Sequence, residues 1–201
     1  MSLNVNAGNG GNKTFEQVPA GSYAARCYQI IDLGHQTVVW EGQAKVVPKV
    51  RITWEISEKM ADGRPFSISK EYTASIGERA TLRKDLEAWR NRKFTTEELA
   101  NFSLENVLGA PCLLGVVHVP SKDGSKTYAN INSIMALPKG MPCEELHNPA
   151  VKFDINNFNK EVFESLPEFI RTKILMSKEM EEKDLTPSSP SIDLSDDSVP
   201  F

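Results

Sequence analysis

The sequence predicts a mainly β protein that carries helices, and three observations lead to this fold class. Several short stretches alternate apolar and polar residues with a period of two, most cleanly over residues 50–57. Turn signals follow two such stretches, at Asp62-Gly63 and over residues 121–124. Residues 78–91 instead space their apolar side chains as a helix does. The chain is therefore expected to place strands on both sides of a helix.

Length and composition are those of one globular domain with extensions. The 201 residues include 40% hydrophobic and 25% charged residues. No apolar run reaches the roughly 18 residues that a membrane-spanning helix needs. Residues 1–13 also lack the apolar core of a signal peptide, so we expect a cytoplasmic location.

The cysteines do not predict a disulfide framework or a metal site. Cys27, Cys112 and Cys143 are odd in number and contain no CxxC pair. Cys143 and His147 are four residues apart, but structural zinc sites usually show two such close pairs. We therefore expect neither a metal nor a cofactor.

The first half of the chain predicts three strands. The first is expected at 22–33 and is followed by a long mixed connection over 34–48. The second, 50–57, alternates without interruption and places Trp54 on its inner face. The third, 65–75, follows the Asp62-Gly63 turn as the second half of a hairpin.

Helices are expected next. The stretch 78–91 carries an apolar stripe of Leu82, Leu86 and Trp89, so Trp89 is assigned to the core. A short second helix, Thr96–Asn101, begins after a Thr cap at 95 or 96.

Two further strands and a helical extension complete the chain. The fourth strand, Pro111–Pro120, is nearly continuous in apolar residues and is expected to be central, and the fifth covers 125–134. Residues 141–158 are rich in Pro and Asn and are expected to cross the surface. Residues 159–182 predict a helix interrupted at Pro167, whose apolar residues must cover either this domain or a second subunit. A homodimer is left open.

Three strands, a helix and a closing hairpin are the element order of the OB-fold, a small five-stranded barrel. The expected architecture is thus a five-stranded OB-fold barrel, with the helix between strands 3 and 4, plus a helical C-terminal extension. The corresponding divisions are a flexible arm at 1–19, the barrel at 20–140, the extension at 141–182 and a disordered acidic tail at 183–201. Ligands of this fold bind on strands 2 and 3 and on the loops between strands 1 and 2 and between strands 4 and 5.

Negative charge is concentrated at the end of the chain. Residues 181–201 contain six acids and one lysine, a net charge of −5, whereas the whole chain carries −4. The first 180 residues therefore carry +1, which permits binding to nucleic acid through local clusters. The final stretch, SIDLSDDSVPF, joins a run of acids to an apolar tip, a combination that suits a basic pocket on a partner. A purely solubilising tail is the alternative.

This ending resembles the acidic tip of bacterial and phage single-stranded DNA-binding proteins. The stretches WEISEKMADGRPFSISKEYTASIGERATLRKDLEAWR and LGAPCLLGVVHVPSKDGSKTYANI are similar to those of phage replication proteins of this kind. The resemblance covers roughly residues 20–137 and the tail. It implies sequence-nonspecific protection of single-stranded DNA during phage DNA replication, recombination and repair. It also implies a tail that recruits replication or recombination proteins and competes with DNA. The partner-binding candidates are Asp193, Asp196, Asp197, Val199, Pro200 and Phe201.

Binding of this kind needs aromatic faces on which bases stack and cations that follow the phosphates. The stacking candidates are Tyr28, Trp40, Tyr72 and Tyr128. The phosphate candidates are Arg26, Lys45, Lys49, Arg51, Lys70, Lys122 and Lys126. Tyr128 is the strongest aromatic candidate because it alternates against an inward face and lies two residues from Lys126.

The sequence motifs and basic residues also bear on three other functions. The chain lacks the motifs GxxxxGK[ST], HExxH and GxSxG, so we do not expect an enzyme. An OB-fold adaptor that binds only protein remains an alternative. A binder of both single-stranded and duplex DNA is another, because Arg90, Arg92 and Lys93 make the end of the first helix basic.

Overall fold

The computed structural model describes residues 16–185, which form a mainly antiparallel β structure with helices. None of the helices in this part of the chain is long and apolar enough to cross a membrane. The strands are β1 Gly21–Trp40, β2 Gln43–Lys59, β3 Pro65–Thr73, β4 Pro111–Pro120, β5 Thr127–Met135 and β6 Val151–Phe153. The helices are α1 Thr81–Arg90, α2 Thr96–Asn101, α3 Lys160–Ser165, α4 Glu168–Leu175 and α5 Lys178–Leu185, with a 3-10 turn at Leu104–Val107.

The six strands form one sheet in the order β3-β2-β1-β4-β5, and β6 pairs in parallel with β1. The helix predicted between the third and fourth strands is present as α1. Within residues 16–185 no hydrogen-bonded ladder joins β3 to β5, so these two strands are the ends of the order. The sheet is therefore not closed by pairing.

The residues predicted as a connection at 34–48 are instead strand, and that prediction was wrong. β1 and β2 continue as a paired ribbon, here called the ribbon arm (residues 35–48), in which His35 pairs with Pro48 and Trp40 with Gln43. Glu41 and Gly42 make its turn with φ of 49° and 78°, the left-handed conformations that suit a two-residue hairpin. The β-branched residues on both sides of the turn favour this extension.

The main core lies between the inner face of the sheet and α1. Val50, Ile52, Trp54 and Ile56 of β2 are all buried, as their alternation predicts. Leu82, Leu86 and Trp89 of α1 are buried against them, and the rings of Trp54 and Trp89 lie 5.7 Å apart. Both assignments of a tryptophan to the core are confirmed. We call this side of β1–β3, which also carries Cys27 and Ile68, the inner face.

A second apolar cluster joins the C-terminal extension to the opposite side of β1, here called the outer face. Its buried residues are Ile31, Leu33, Phe153, Ile155, Leu166, Ile170 and Ile174. The helical region breaks at Pro167 as expected, and again at Met176–Ser177, which the sequence did not predict. Much of the apolar surface of the extension is therefore covered within this chain. Phe169 and Leu175 are exceptions, because both stay exposed.

Candidate nucleic-acid interface

The structure distributes the predicted site residues over three regions instead of one. Trp40 and Lys45 lie on the ribbon arm at one end of β1. The β4–β5 hairpin extends past the other end of β1, where Gly21 pairs with Val116, and it carries Lys122, Lys126 and Tyr128. The remaining described candidates lie between these ends: Arg26, Tyr28, Lys49, Arg51, Lys70 and Tyr72. The six tail candidates, Asp193, Asp196, Asp197, Val199, Pro200 and Phe201, fall outside the described residues.

The β4–β5 hairpin presents an open face that carries Tyr128. Tyr128 is paired with Val119 across the two strands and is 52% exposed, and Val117 and Val119 are exposed beside it. On the opposite side of the hairpin, His118 Nε2 donates to the carbonyl of Val18 at 2.8 Å. An aromatic ring is thus held on a paired strand with its side chain toward solvent.

The acidic residue in the turn of this hairpin, Asp123, is hydrogen-bonded within the turn. Asp123 accepts hydrogen bonds from the backbone amide of Ser125 at 3.1 Å and from the hydroxyls of Ser121 and Ser125. These bonds, above all the one from the Ser121 hydroxyl, lower the pKa of Asp123 to about 2. Lys122 and Lys126 are exposed, and neither forms an ion pair with any residue between 16 and 185. Neither ammonium group is thus neutralised by an acid in the described part of the chain.

Arg26 lies on the outer face, where its guanidinium is hydrogen-bonded to backbone carbonyls of the protein. Its guanidinium donates to the carbonyl of Glu144 at 3.0 Å and to that of Gly109 at 2.9 Å. Glu55, its cross-strand partner, accepts from the backbone amides of His147 and Asn148 at 2.9 and 2.7 Å. Residues 143–148, here called the strap, are thereby fixed over β1 and β2. Arg26 is consequently a structural anchor, and these contacts speak against its predicted role as a phosphate contact.

Arg51 and Lys49 share the outer face of β2, which the extension partly covers. Arg51 Nη1 lies 3.4 Å from Glu71 Oε1, and its guanidinium carbon lies 5.3 Å from the centre of the Phe169 ring. Lys173 of α4 reaches the other oxygen of Glu71 at 2.5 Å. Lys49 donates to the hydroxyl of Thr73 at 3.2 Å. The expected binding surface on β2 and β3 is therefore partly occupied by α4 and the strap.

Tyr72 and Lys70 face α1 on the inner side of β3. Tyr72 is only 4% exposed, and its hydroxyl donates to Asp85 at 2.9 Å, while Lys70 Nζ lies 2.7 Å from the same carboxylate oxygen. Burial, followed by the Asp85 charge, raises the pKa of Tyr72 well above its usual range. Because Tyr72 shares its strand face with the buried Phe66 and Ile68, its ring cannot offer a stacking face. These contacts speak against the predicted roles of Tyr72 in stacking and of Lys70 in phosphate contact.

Tyr28 and the basic end of α1 complete the sequence candidates. Tyr28 is half-buried at the irregularity in the β1–β2 register between Cys27 and Gln29. Arg90 and Arg92 both pair with Glu98. A single carboxylate thus offsets part of the charge of the two arginines offered for duplex binding, and Lys93, the third cation, is exposed.

The cysteines give no sign of a metal centre. Cys27 and Cys112 are buried free thiols, and burial raises the pKa of Cys27 to about 12. Cys143 is half-buried beside the carbonyl of Ala25. Among residues 16–185 no group of three His, Cys, Asp or Glu side chains is placed to hold a metal ion.

Phe169 is the surface aromatic that sequence reasoning missed. The sequence groups Phe169 with Ile170, Ile174 and Leu175 among the apolar residues predicted to cover a surface, yet it is 60% exposed. Its offset by one residue from the buried pair Ile170 and Ile174 is the signal that marks it as separate from the apolar stripe.

No family model matches this chain, and no curated protein or solved structure matches it either.

Proposed function

We propose that this protein binds single-stranded DNA without sequence preference, through the open face of the β4–β5 hairpin. One observation carries the proposal: Tyr128, with its side chain half-exposed, lies on the same hairpin as two lysines that have no acidic partner among the described residues. Bases of any identity stack on such a ring, and each stacked base contributes about 1–3 kcal/mol. Lys122 and Lys126 supply charge for the flanking phosphates.

The proposal includes an OB-type barrel as the scaffold. The order β3-β2-β1-β4-β5, with α1 inserted between β3 and β4, supports it. In such a barrel β3 and β5 approach one another, and the outer face of β2–β3 separates the ribbon arm from the β4–β5 hairpin. DNA that follows this surface meets Lys45 on the ribbon arm and Tyr128 on the hairpin.

The near-neutral body makes the proposed electrostatics modest. For single strands the slope of log K against log salt is about −0.7 for each phosphate neutralised. Lys45, Lys122 and Lys126 together therefore give a slope of about −2. A slope this shallow distinguishes a few local contacts from a broad basic groove.

The test is a salt titration of binding between the full-length protein and a fluorescent oligo(dT), followed by anisotropy. Tyr128→Ala is expected to weaken binding by about 5- to 150-fold, the equivalent of one lost stacking contact. Met135→Ala is the matched control, because Met135 is an exposed apolar residue at the far end of the same strand. Lys126→Ala is expected to reduce the slope by about 0.7.

Three results would count against the proposal. Absence of salt-sensitive binding to oligo(dT) would leave the protein-binding adaptor as the better explanation. Equal losses in Tyr128→Ala and Met135→Ala would remove the hairpin face from the site. Duplex DNA of the same length serves as a parallel ligand, and tighter binding to the duplex than to oligo(dT) would contradict the single-strand preference.

The acidic tail forms a second part of the proposal. The net charge of −5 over residues 181–201 lets the tail compete with DNA for exposed lysines and recruit replication or recombination proteins when DNA displaces it. Deletion of residues 190–201 is expected to tighten oligo(dT) binding at low salt. Unchanged affinity would contradict the competition.

A further inference from the structure

Phe169 is one of two large apolar side chains of α4 that stay largely exposed, the other being Leu175. Ile170 and Ile174 are buried against β1, whereas Phe169 has 60% of its surface exposed. A phenyl ring in this position gains little from the hydrophobic effect on folding, because most of its area stays in water. Its contribution to the described core is therefore small.

The ring of Phe169 is nevertheless held in a defined place on the outer face of the sheet. The guanidinium carbon of Arg51 lies 5.3 Å from the ring centre, within the range of a cation–π interaction. Arg51 is itself fixed by Glu71, which also binds Lys173 one turn after Phe169 on α4. One side of the ring thus meets a positioned cation, and the exposed area of the ring remains for another flat group.

The charges around the ring are mixed, with cations in excess. Arg51 and Lys173 share Glu71, and Lys49 lies two residues before Arg51 on the same face of β2. Glu168 precedes Phe169 on α4. Arg51, Lys173 and the Glu71 that they share carry a net charge of +1, which favours a ligand that joins flat rings to negative groups.

We infer that Phe169, backed by Arg51 and flanked by Lys49 and Lys173, is a base-stacking platform for single-stranded nucleic acid. Single strands fit because their unpaired bases present free π-faces, whereas the bases of a duplex are already stacked. The C-terminal extension therefore adds to the binding surface of the sheet as well as covering part of it. This inference rests on the proposed function and extends it from the hairpin to the outer face of β2.

The test measures binding of the full-length protein to oligo(dT) and to an abasic deoxyribose-phosphate oligomer of equal length. Phe169→Ala is expected to weaken oligo(dT) binding by about 5- to 150-fold and to leave binding to the abasic oligomer unchanged. Phe169→Tyr keeps an aromatic face and should stay within about twofold of the wild type. Leu175→Ala, which truncates another exposed apolar residue of α4, should bind both ligands as the wild type does. Equal thermal melting of all variants serves as the check on folding.

Each outcome separates the platform from the hairpin site. The hairpin site is supported if the wild type and Met135→Ala bind oligo(dT) and Tyr128→Ala binds it weakly. If Phe169→Ala then binds as Leu175→Ala does, the platform is refuted and the proposed function stands. If Phe169→Ala weakens both ligands equally, the ring acts on the structure and the stacking role is refuted. If the wild type does not bind oligo(dT) at all, both the platform and the proposed function are overturned.

Discussion

Replacing Glu55 with Ala should release the strap from the outer face of the sheet. Glu55 is only 6% exposed, and its carboxylate accepts hydrogen bonds from the backbone amides of His147 and Asn148 at 2.9 and 2.7 Å. Hydrogen bonds to a charged acceptor contribute about 1.5–3 kcal/mol each, so two of them amount to about 3–6 kcal/mol. Because the released amides can bind water, we expect a smaller net loss of about 2–4 kcal/mol in the free energy of unfolding.

Chemical denaturation measures this loss, and amide hydrogen exchange locates it. Faster exchange is expected at His147 and Asn148 in Glu55→Ala, with little change in the strands of the main core. Glu58→Ala is the control, because Glu58 is an exposed acid of the same strand that makes no hydrogen bond to the strap. Glu55→Gln keeps one carbonyl acceptor and should fall between the two. Equal stability of Glu55→Ala and Glu58→Ala, with unchanged protection at His147 and Asn148, would refute this account of the strap.

Three further outcomes are expected from substitution and pH. Gly34→Ala should cost about 2–4 kcal/mol in denaturation experiments, because Gly34 has φ of +68° and an added Cβ would lie 2.7 Å from side-chain atoms of the extension. Gly63→Ala, where φ is also positive but the space is open, should cost only about 1 kcal/mol, and equal losses would contradict the steric argument. The backbone amide of Thr95 and two arginines lower the pKa of Glu98 to about 2, so the stability it contributes is present above pH 4.5 and is lost as pH falls toward 2. The stability difference between the wild type and Glu98→Gln should therefore shrink as pH falls from 4.5 toward 2, and an undiminished difference at pH 2 would refute the assignment. Ile174→Ala should lower the free energy of unfolding by about 2–5 kcal/mol, whereas a comparable loss in the exposed Leu175→Ala would show that the second cluster is wrongly placed.

Sequence patterns predict the fold best where one side of an element is buried. The alternation of residues 50–57 and the helical spacing of Leu82, Leu86 and Trp89 identify the inner face correctly, because burial there selects side chains by position. The ribbon arm escapes this reasoning, because most of its residues are exposed on both sides and only its cross-strand pairing makes it strand. β6 escapes as well, because three residues carry too short a pattern and pair with a strand more than a hundred residues earlier.

The candidate site illustrates the same limit at the level of single side chains. Tyr128 is correctly expected on an outward face, because Ile131 on the opposite face of β5 is buried. Tyr72 shares its face with Phe66 and Ile68, so the alternation itself indicates burial, but Lys70 between them makes that face look polar. In the structure, Asp85 of α1 pairs with Lys70, and this allows Lys70 to lie on the same face as buried residues. No local pattern of β3 could predict a partner on α1. Hydrogen bonds between distant segments, such as those from Arg26 to the strap, likewise leave no pattern in the sequence.

β1 has a consequence for how the molecule tolerates change. Ile30 belongs to the main core and Ile31 to the cluster of the extension, so consecutive side chains of one strand serve two separate interiors. A single inserted or deleted residue near this point would exchange the two sets of side chains and spoil both interiors together. The turn that follows β1 is free of this constraint, because Glu41 and Gly42 are exposed and a Cβ at Gly42 would meet no atom within 4 Å. An insertion is therefore costly within β1, whereas the turn of the ribbon arm is a suitable place to insert a reporter sequence.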